Sequence, residues 1–355
     1  MTVFPIRSHV RALRPVVHGG AAQLRARGLD PARIDDFSAT LLPLSPPPPV
    51  RAAIAAVDPR SYPDPASTRL RKLLARRHGV DPAQVLCAGG SVALIRAIAR
   101  TCLGPGDRAL IVGPTFGEYA AGVRAAGGSV EEVCTDRVDR VLGAIDRHRP
   151  ALVFLCNPNN PTGHRWTADQ VAAIAARAPL VVDEAYMGFL QPCPAPVMGP
   201  GRLVLRSLTK DHAMAGLRVG YALGDPDLLA AVAHQLDPWG LGSVAEAAAV
   251  AALSHPAPYR DAIAALWRER DRLAEAIAGL GLPVDVRAAP FFLVEVGDAA
   301  AASARLLESG LLVRDCSSFG LPHHIRISPQ TPAAGDRLVA ALASLPLPCT
   351  NREQP

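Results

Sequence analysis

Apolar positions fall in two alternating rhythms along this chain. Short, nearly unbroken apolar runs occur at 85–88, 108–113, 152–156, 180–183, 203–206 and 219–223, with a more mixed one at 129–134. Between them, apolar residues recur every three to four positions over 67–77, 91–102, 117–126, 138–148 and 167–176. The runs predict buried strands and the 3–4 spacing predicts helices. Apolar strands alternating with helices predict an α/β fold, a three-layer arrangement with a mainly parallel sheet covered on both faces. A helical tract follows at 226–235, 244–254 and 259–279, the last long enough to link two domains. From about residue 282 the pattern changes. Strands at 291–296, 311–314 and 325–328 mix with helices at 299–309 and 332–345, which predicts a smaller α+β domain.

Residues 1–50 are Pro-rich and predict little helix or sheet of their own, so they should lie across another surface. The expected organisation is an N-terminal arm over 1–50 that belongs with the small domain, a large domain over 51–279, a C-terminal small domain over 280–345, and a disordered tail over 346–355.

Composition narrows the function. With 355 residues, 49% hydrophobic and 19% charged, the chain can bury a large core. The net charge of +5 is mild and the arginines are scattered, which argues against a nucleic-acid surface. The seven cysteines (87, 102, 134, 156, 193, 316 and 349) form no Cys-x-x-Cys pair and no zinc spacing. No metal is expected, and reduced cytoplasmic thiols are. The first residues lack the apolar run of a signal peptide, and no stretch is long enough to span a membrane.

Candidate chemistry sits where the predicted strands end, the place where such sheets bind ligands. Ala88-Gly89-Gly90-Ser91 joins a strand to a helix, and its small residues let backbone N–H groups approach an anion. An ordinary tight turn would look the same. Phe116, after the next strand, could lie against a flat ligand, although single rings more often serve the core. Asn157-Pro158-Asn159-Asn160-Pro161-Thr162-Gly163 is far more specific, and would present the Asn160 amide at the sheet's edge. Asp183 ends an apolar strand, so its carboxylate should be poorly hydrated and need a cationic partner. Lys210 follows Ser207 and Thr209 and precedes Arg218. An amine flanked by hydroxyls and a guanidinium suits a lysine that bonds a phosphate-bearing aldehyde cofactor.

Taken in this order, these motifs resemble the fold type I pyridoxal-phosphate enzymes, and within them the histidinol-phosphate aminotransferase group, from about His18 to Arg326. The resemblance implies pyridoxal 5'-phosphate bonded to Lys210, with Asp183 on the pyridine nitrogen and Asn160 and Tyr186 on the phenolic oxygen. It places Phe116 on the ring and Gly89, Gly90, Ser207, Thr209 and Arg218 around the phosphate. Tyr62 matches a tyrosine lent to the neighbouring subunit, which implies a homodimer. Arg326 matches an arginine that clamps the substrate carboxylate, a task suited to a forked guanidinium.

Three further stretches, His18-Gly-Gly, Asp36-Phe-Ser-Ala and Arg314-Asp-Cys-Ser-Ser-Phe319, look like threonine-phosphate decarboxylases. Those sequences carry amides where this chain has Ala21, Thr40 and Leu42. The resemblance therefore leans to an aminotransferase for an amino acid or amino-acid phosphate, with decarboxylation as the alternative and a non-catalytic binding protein as a third. Arg314 and His18 remain candidates for a distal anion. A dinucleotide-binding dehydrogenase is disfavoured, because Ala88-Gly-Gly-Ser lacks the Gly-x-Gly-x-x-Gly spacing.

Overall fold

The structure is a computed structural model that describes residues 4–16 and 21–345. His18 and the tail over 346–355 lie outside the described residues. The chain divides into two units. One takes the residues up to Val16, Leu44–Asn160 and His164–Ile263. The other takes Val17–Pro43, Pro161–Gly163 and the residues from Ala264 on.

The larger unit is built on a seven-stranded sheet. In spatial order the strands are Val85–Ala88, Gly220–Leu223, Arg202–Ser207, Leu180–Asp183, Leu152–Cys156, Arg108–Gly113 and Ser129–Cys134. All pairings are parallel except the two made by Gly220–Leu223, which runs against both neighbours. Strand residues point alternately to the two faces. Val181, Leu203 and Leu205 meet the helices Ser91–Cys102, Glu118–Ala126 and Pro226–Ala233 through Leu94, Ile98, Val123 and Leu229. Leu180 and Val182 meet Val138–His148 and Ala168–Ala175 on the other face through Val141, Ile145, Val171 and Ile174. Both faces are covered, which is why the strands carry almost no polar positions before their carboxyl ends.

The smaller unit holds an antiparallel four-stranded sheet in the order Arg314–Asp315, His324–Ile327, Phe292–Glu295 and Val284–Val286. Phe292, Val294, Ile325 and Ile327 pack with Leu273, Ile277, Leu306 and Leu338 in one core.

The N-terminal stretch departs from expectation. Residues over 1–50 do contain regular structure. Pro48–Ala55 is a helix opened by Pro at its first turn, and Asp35–Asp36 pairs in parallel with Leu311–Leu312. Proline is well placed at a helix start, where its missing N–H removes no helical bond. The run expected at 311–314 is two strands, Leu311–Leu312 and Arg314–Asp315, which join different sheets. Among the described residues, no helix is long and apolar enough to cross a membrane.

Candidate active site

The carboxyl ends of the central strands converge because the ladder registers hold them level. Cys156 is paired with Asp183, Asp183 with Leu205, and both Ser207 and Ala88 with Gly220. The residues following these positions are Gly89, Asn160, Tyr186 and Lys210.

Asp183 is 3% exposed. Its Oδ2 accepts a hydrogen bond from the Tyr119 hydroxyl at 2.8 Å, and its Oδ1 accepts one from the Ala185 N–H at 3.0 Å. Burial pushes its carboxyl above the usual range, while the Tyr119 bond and the charge of Lys210 pull the other way. Neutral donors thus hold the carboxylate, and the charge of Lys210 is the cationic influence on it. The buried acceptor suits a protonated ring nitrogen in a ligand.

Tyr119 escaped the sequence reading. It is fully buried in the first turn of the helix Glu118–Ala126, with its ring stacked on Phe154 at 5.3 Å and edge-on to Phe116 at 5.7 Å. Its hydroxyl reaches Asp183 because two rings fix its orientation. A tyrosine three residues after Phe116 was the available signal. Phe116 is half-buried.

The asparagine motif divides its labour. Asn157 donates to the Trp166 carbonyl at 3.1 Å and accepts from the Trp166 N–H at 2.9 Å. Asn159 accepts from the Thr115 hydroxyl at 2.7 Å and donates to the Pro114 carbonyl at 2.9 Å. These two amides tie the turn together and hold Asn160, which is 7% exposed. Asn160 follows an interior strand, so it sits at the carboxyl rim and not at a lateral edge of the sheet.

Lys210 follows the strand Arg202–Ser207, with its Nζ 5.2 Å from the centre of the Tyr186 ring. Tyr186 is buried. The Ser207 and Thr209 hydroxyls lie 2.6 Å apart, and the Thr209 N–H donates to Ser207 Oγ at 3.2 Å. Gly90 precedes the helix Ser91–Cys102, whose start carries no side-chain cap. A Cβ on Gly90 would stand 2.7 Å from Arg218 Nη2, so the guanidinium lies directly against the helix start. Arg218 itself is left-handed (φ 60°) and donates to the Ala215 carbonyl at 3.1 Å. Gly89 and Arg218 line a cleft of about 840 Å³. A helix N-terminus beside a guanidinium is a strong anion cradle. With the buried Asp183 acceptor and the Lys210 amine, this donor set fits a flat phosphate-bearing cofactor with a basic ring nitrogen.

Tyr62 is 81% exposed and packs against Trp239 with ring centres 4.8 Å apart. In the smaller unit, Arg326 is buried at 5% exposure. Its Nη2 donates to the Ser38 carbonyl at 2.6 Å, and its guanidinium lies 4.9 Å from the Phe291 ring. Asp36 sets that carbonyl by accepting from Ser38 N–H and Oγ and from Ala39 N–H. Arg314 donates to Ser318 Oγ at 2.8 Å and lies over Phe319 at 5.1 Å. Thr40 shares a 2.6 Å hydroxyl contact with Ser328, and Leu42 is buried.

Known proteins match this arrangement. The family model "Aminotransferase class I and II" matches residues 44–342. Histidinol-phosphate aminotransferase 2 of Ralstonia nicotianae is 36% identical over 358 residues, covering 95% of this chain and 96% of that relative. The crystal structure of histidinol-phosphate aminotransferase from Sinorhizobium meliloti in complex with pyridoxal-5'-phosphate has a TM-score of 0.87 at 28% identity, covering 96% of this chain and 97% of its own. L-threonine-O-3-phosphate decarboxylase from Porphyromonas gingivalis has a TM-score of 0.77 at 28% identity, covering 87% and 98%. The fold is that of the fold type I group. With a matched span that covers most of its length and relatives as similar as these, the chain belongs to the class I and II aminotransferases.

Proposed function

We propose that this aminotransferase takes an amino acid or amino-acid phosphate as amino donor, with histidinol phosphate first among the candidates because the relatives carry that name. Its cofactor is pyridoxal 5'-phosphate, which, when bound, supplies a ring that draws electrons from a bond at the substrate Cα. In this reading Asp183 keeps the proton on the ring nitrogen. Asn160 and Tyr186 hold the phenolic oxygen, and Phe116 packs on the ring. Gly89 and Gly90 (through backbone N–H groups), Ser207, Thr209 and Arg218 bind the phosphate. Lys210 would hold the cofactor aldehyde, and its amine is the group placed to carry a proton at the substrate Cα. Arg326 clamps the substrate carboxylate, which orients the bond to be broken. The observation that carries most weight is the buried Asp183 carboxylate, held by the Tyr119 hydroxyl at the end of its strand.

The partners in this reading are the small-molecule substrate and a second copy of the chain, with Tyr62 lent across the dimer. The exposure of Tyr62 supports that role. Cytoplasmic residence fits the six free thiols among the described residues. Arg314 remains the candidate for a distal anion. Decarboxylation is the weaker reading. Thr40 is engaged with Ser328 and Leu42 is apolar and buried, so neither offers the amide that the decarboxylase-like pattern carries.

The test is to add candidate amino acids to the cofactor-loaded enzyme and follow the visible band. The expected result is conversion to the pyridoxamine form, with recovery only after a keto acid is added. Steady CO2 release without a keto acid would overturn the assignment.

A further inference from the structure

The residues just past Lys210 form a buried polar cluster that the proposed chemistry does not use. Asp211 and His212 are 5% and 7% exposed, and Tyr259 is 3% exposed. Asp211 Oδ1 lies 2.9 Å from His212 Nδ1. Both atoms, like the Tyr259 hydroxyl, are buried and lack a hydrogen-bond partner among the described residues. The His212 ring sits 4.8 Å from the Tyr259 ring. Burial and the Asp211 charge together push the Tyr259 hydroxyl up to about 12. The second carboxylate oxygen occupies a particular space. A Cβ on Gly188 would stand 1.8 Å from Asp211 Oδ2. The Asp211 carboxylate thus fills the position a side chain at 188 would take, in the short turn Met187–Phe189. That turn begins directly after Tyr186, the ring over which the Lys210 amine lies.

Three buried polar atoms without a hydrogen-bond partner are costly, and a hydrophobic replacement of the same shape would often be more stable. Stability alone therefore does not account for their presence beside the reactive amine. We infer that Asp211 and His212 are positioning residues. The carboxylate, seated against Gly188 and tied to an imidazole that packs on Tyr259, locks the Lys210 turn to the Tyr186 segment and so holds the amine where it can reach the cofactor aldehyde. The inference rests on the reading of Lys210 as the cofactor lysine. Neighbours on either side of the lock reinforce it: the Met214 N–H bonds the Thr209 carbonyl, and Ala213 adopts a left-handed conformation at φ 53°.

The test uses the full-length enzyme stripped of cofactor. Pyridoxal 5'-phosphate is added, and the half-time of the visible band of the lysine-linked form is measured for wild type, Asp211→Asn, His212→Phe and Gly188→Ala. Non-covalent affinity for the cofactor is measured separately with the same changes in a Lys210→Ala background. Misplacing a reacting group by about 1 Å costs about a hundredfold, so band formation and kcat should both slow by about ten- to a hundredfold in Asp211→Asn and Gly188→Ala. KM and the non-covalent affinity should stay within about twofold of wild type, as expected for an effect confined to the reacting step. His212→Phe keeps a ring on Tyr259 but loses the imidazole nitrogen beside Asp211, and should fall between. Wild-type rates in the folded variants would overturn the inference. So would a slowing matched by an equal loss of non-covalent affinity, because the cluster would then be holding the fold and not the amine. If Asp211→Asn does not fold, Gly188→Ala decides alone, since it displaces the carboxylate without removing it. Absence of a band in wild type would instead sink the cofactor reading itself.

Discussion

Single residues carry the polar logic of this site, and Tyr119 shows how. A carboxylate as deeply buried as Asp183 needs donors, and one of its two comes from Tyr119. Hydrogen bonds to charged groups are worth about 1.5–3 kcal/mol. Tyr119→Phe keeps the stack on Phe154 and removes only that bond. It should raise the Asp183 carboxyl further, disfavour the charged carboxylate proposed to keep a ring nitrogen protonated, and lower kcat by about tenfold while leaving KM near wild type. Steady-state kinetics on the loaded enzyme would check this, and an unchanged kcat would show that the Ala185 N–H suffices. Asp183, Lys210 and Arg218 were legible in the sequence because their positions are fixed locally, at strand ends and next to small residues. Tyr119 was not, because its role depends on a contact 64 positions away along the chain. The same limit hid the division of labour among Asn157, Asn159 and Asn160, which look alike as letters and differ only in what each amide meets.

At the scale of elements, the proposed phosphate cradle depends on how closely a helix can approach a strand. Gly220 lies under the helix start, where a Cβ would stand 2.5 Å from the Ser91 nitrogen. Gly90 combines φ 92° with the tight approach to Arg218. Gly90→Ala should weaken cofactor affinity by at least about tenfold, roughly 1.4 kcal/mol, because it strains the turn and pushes the guanidinium aside. Equilibrium binding to apoenzyme would measure it, and an unchanged affinity would remove Gly90 from the cradle. A neighbouring element sets an acid limit. His78 ends the helix Thr68–His78, and its Nε2 lies 2.9 Å from the Tyr221 hydroxyl. Burial, with the charges of Arg206 and Arg77, lowers it to about 4. A histidine held neutral contributes stability that is intact above its unfolded value near 6.5 and is lost as pH falls from there toward 4. His78→Gln should flatten that part of a denaturation-versus-pH profile by on the order of 2 kcal/mol, allowing for partial exposure. Most of these elements were visible as alternating apolar runs and 3–4 periodicity. The helix Pro48–Ala55 was hidden because prolines that start a helix look the same as prolines that prevent one. The two-residue strand Asp35–Asp36 was hidden because its partner lies near the far end of the chain.

At the scale of the whole molecule, the open question is whether one chain makes a complete site. Tyr62 and Trp239 form an exposed aromatic pair, and Trp239 also lines the cleft that holds Gly89 and Arg218. An aromatic residue that is 81% exposed gains little by itself, but it is well suited to a partner's surface. If Tyr62 serves the site of the neighbouring subunit, two defective variants should rescue each other. In a mixture of Tyr62→Ala and Lys210→Ala chains, a hybrid dimer has one site with both changes and one site with neither. Random reassortment makes half of the dimers hybrids, so activity should recover to about a quarter of wild type after unfolding and refolding together. If Tyr62 acts within its own chain, every site in the hybrid carries exactly one defect and no recovery occurs. Activity assays on the mixture, with size-exclusion chromatography to confirm dimers, separate the two cases. A mixture that stays inactive while forming hybrids would remove Tyr62 from the shared site and leave its exposure to be explained by some other contact.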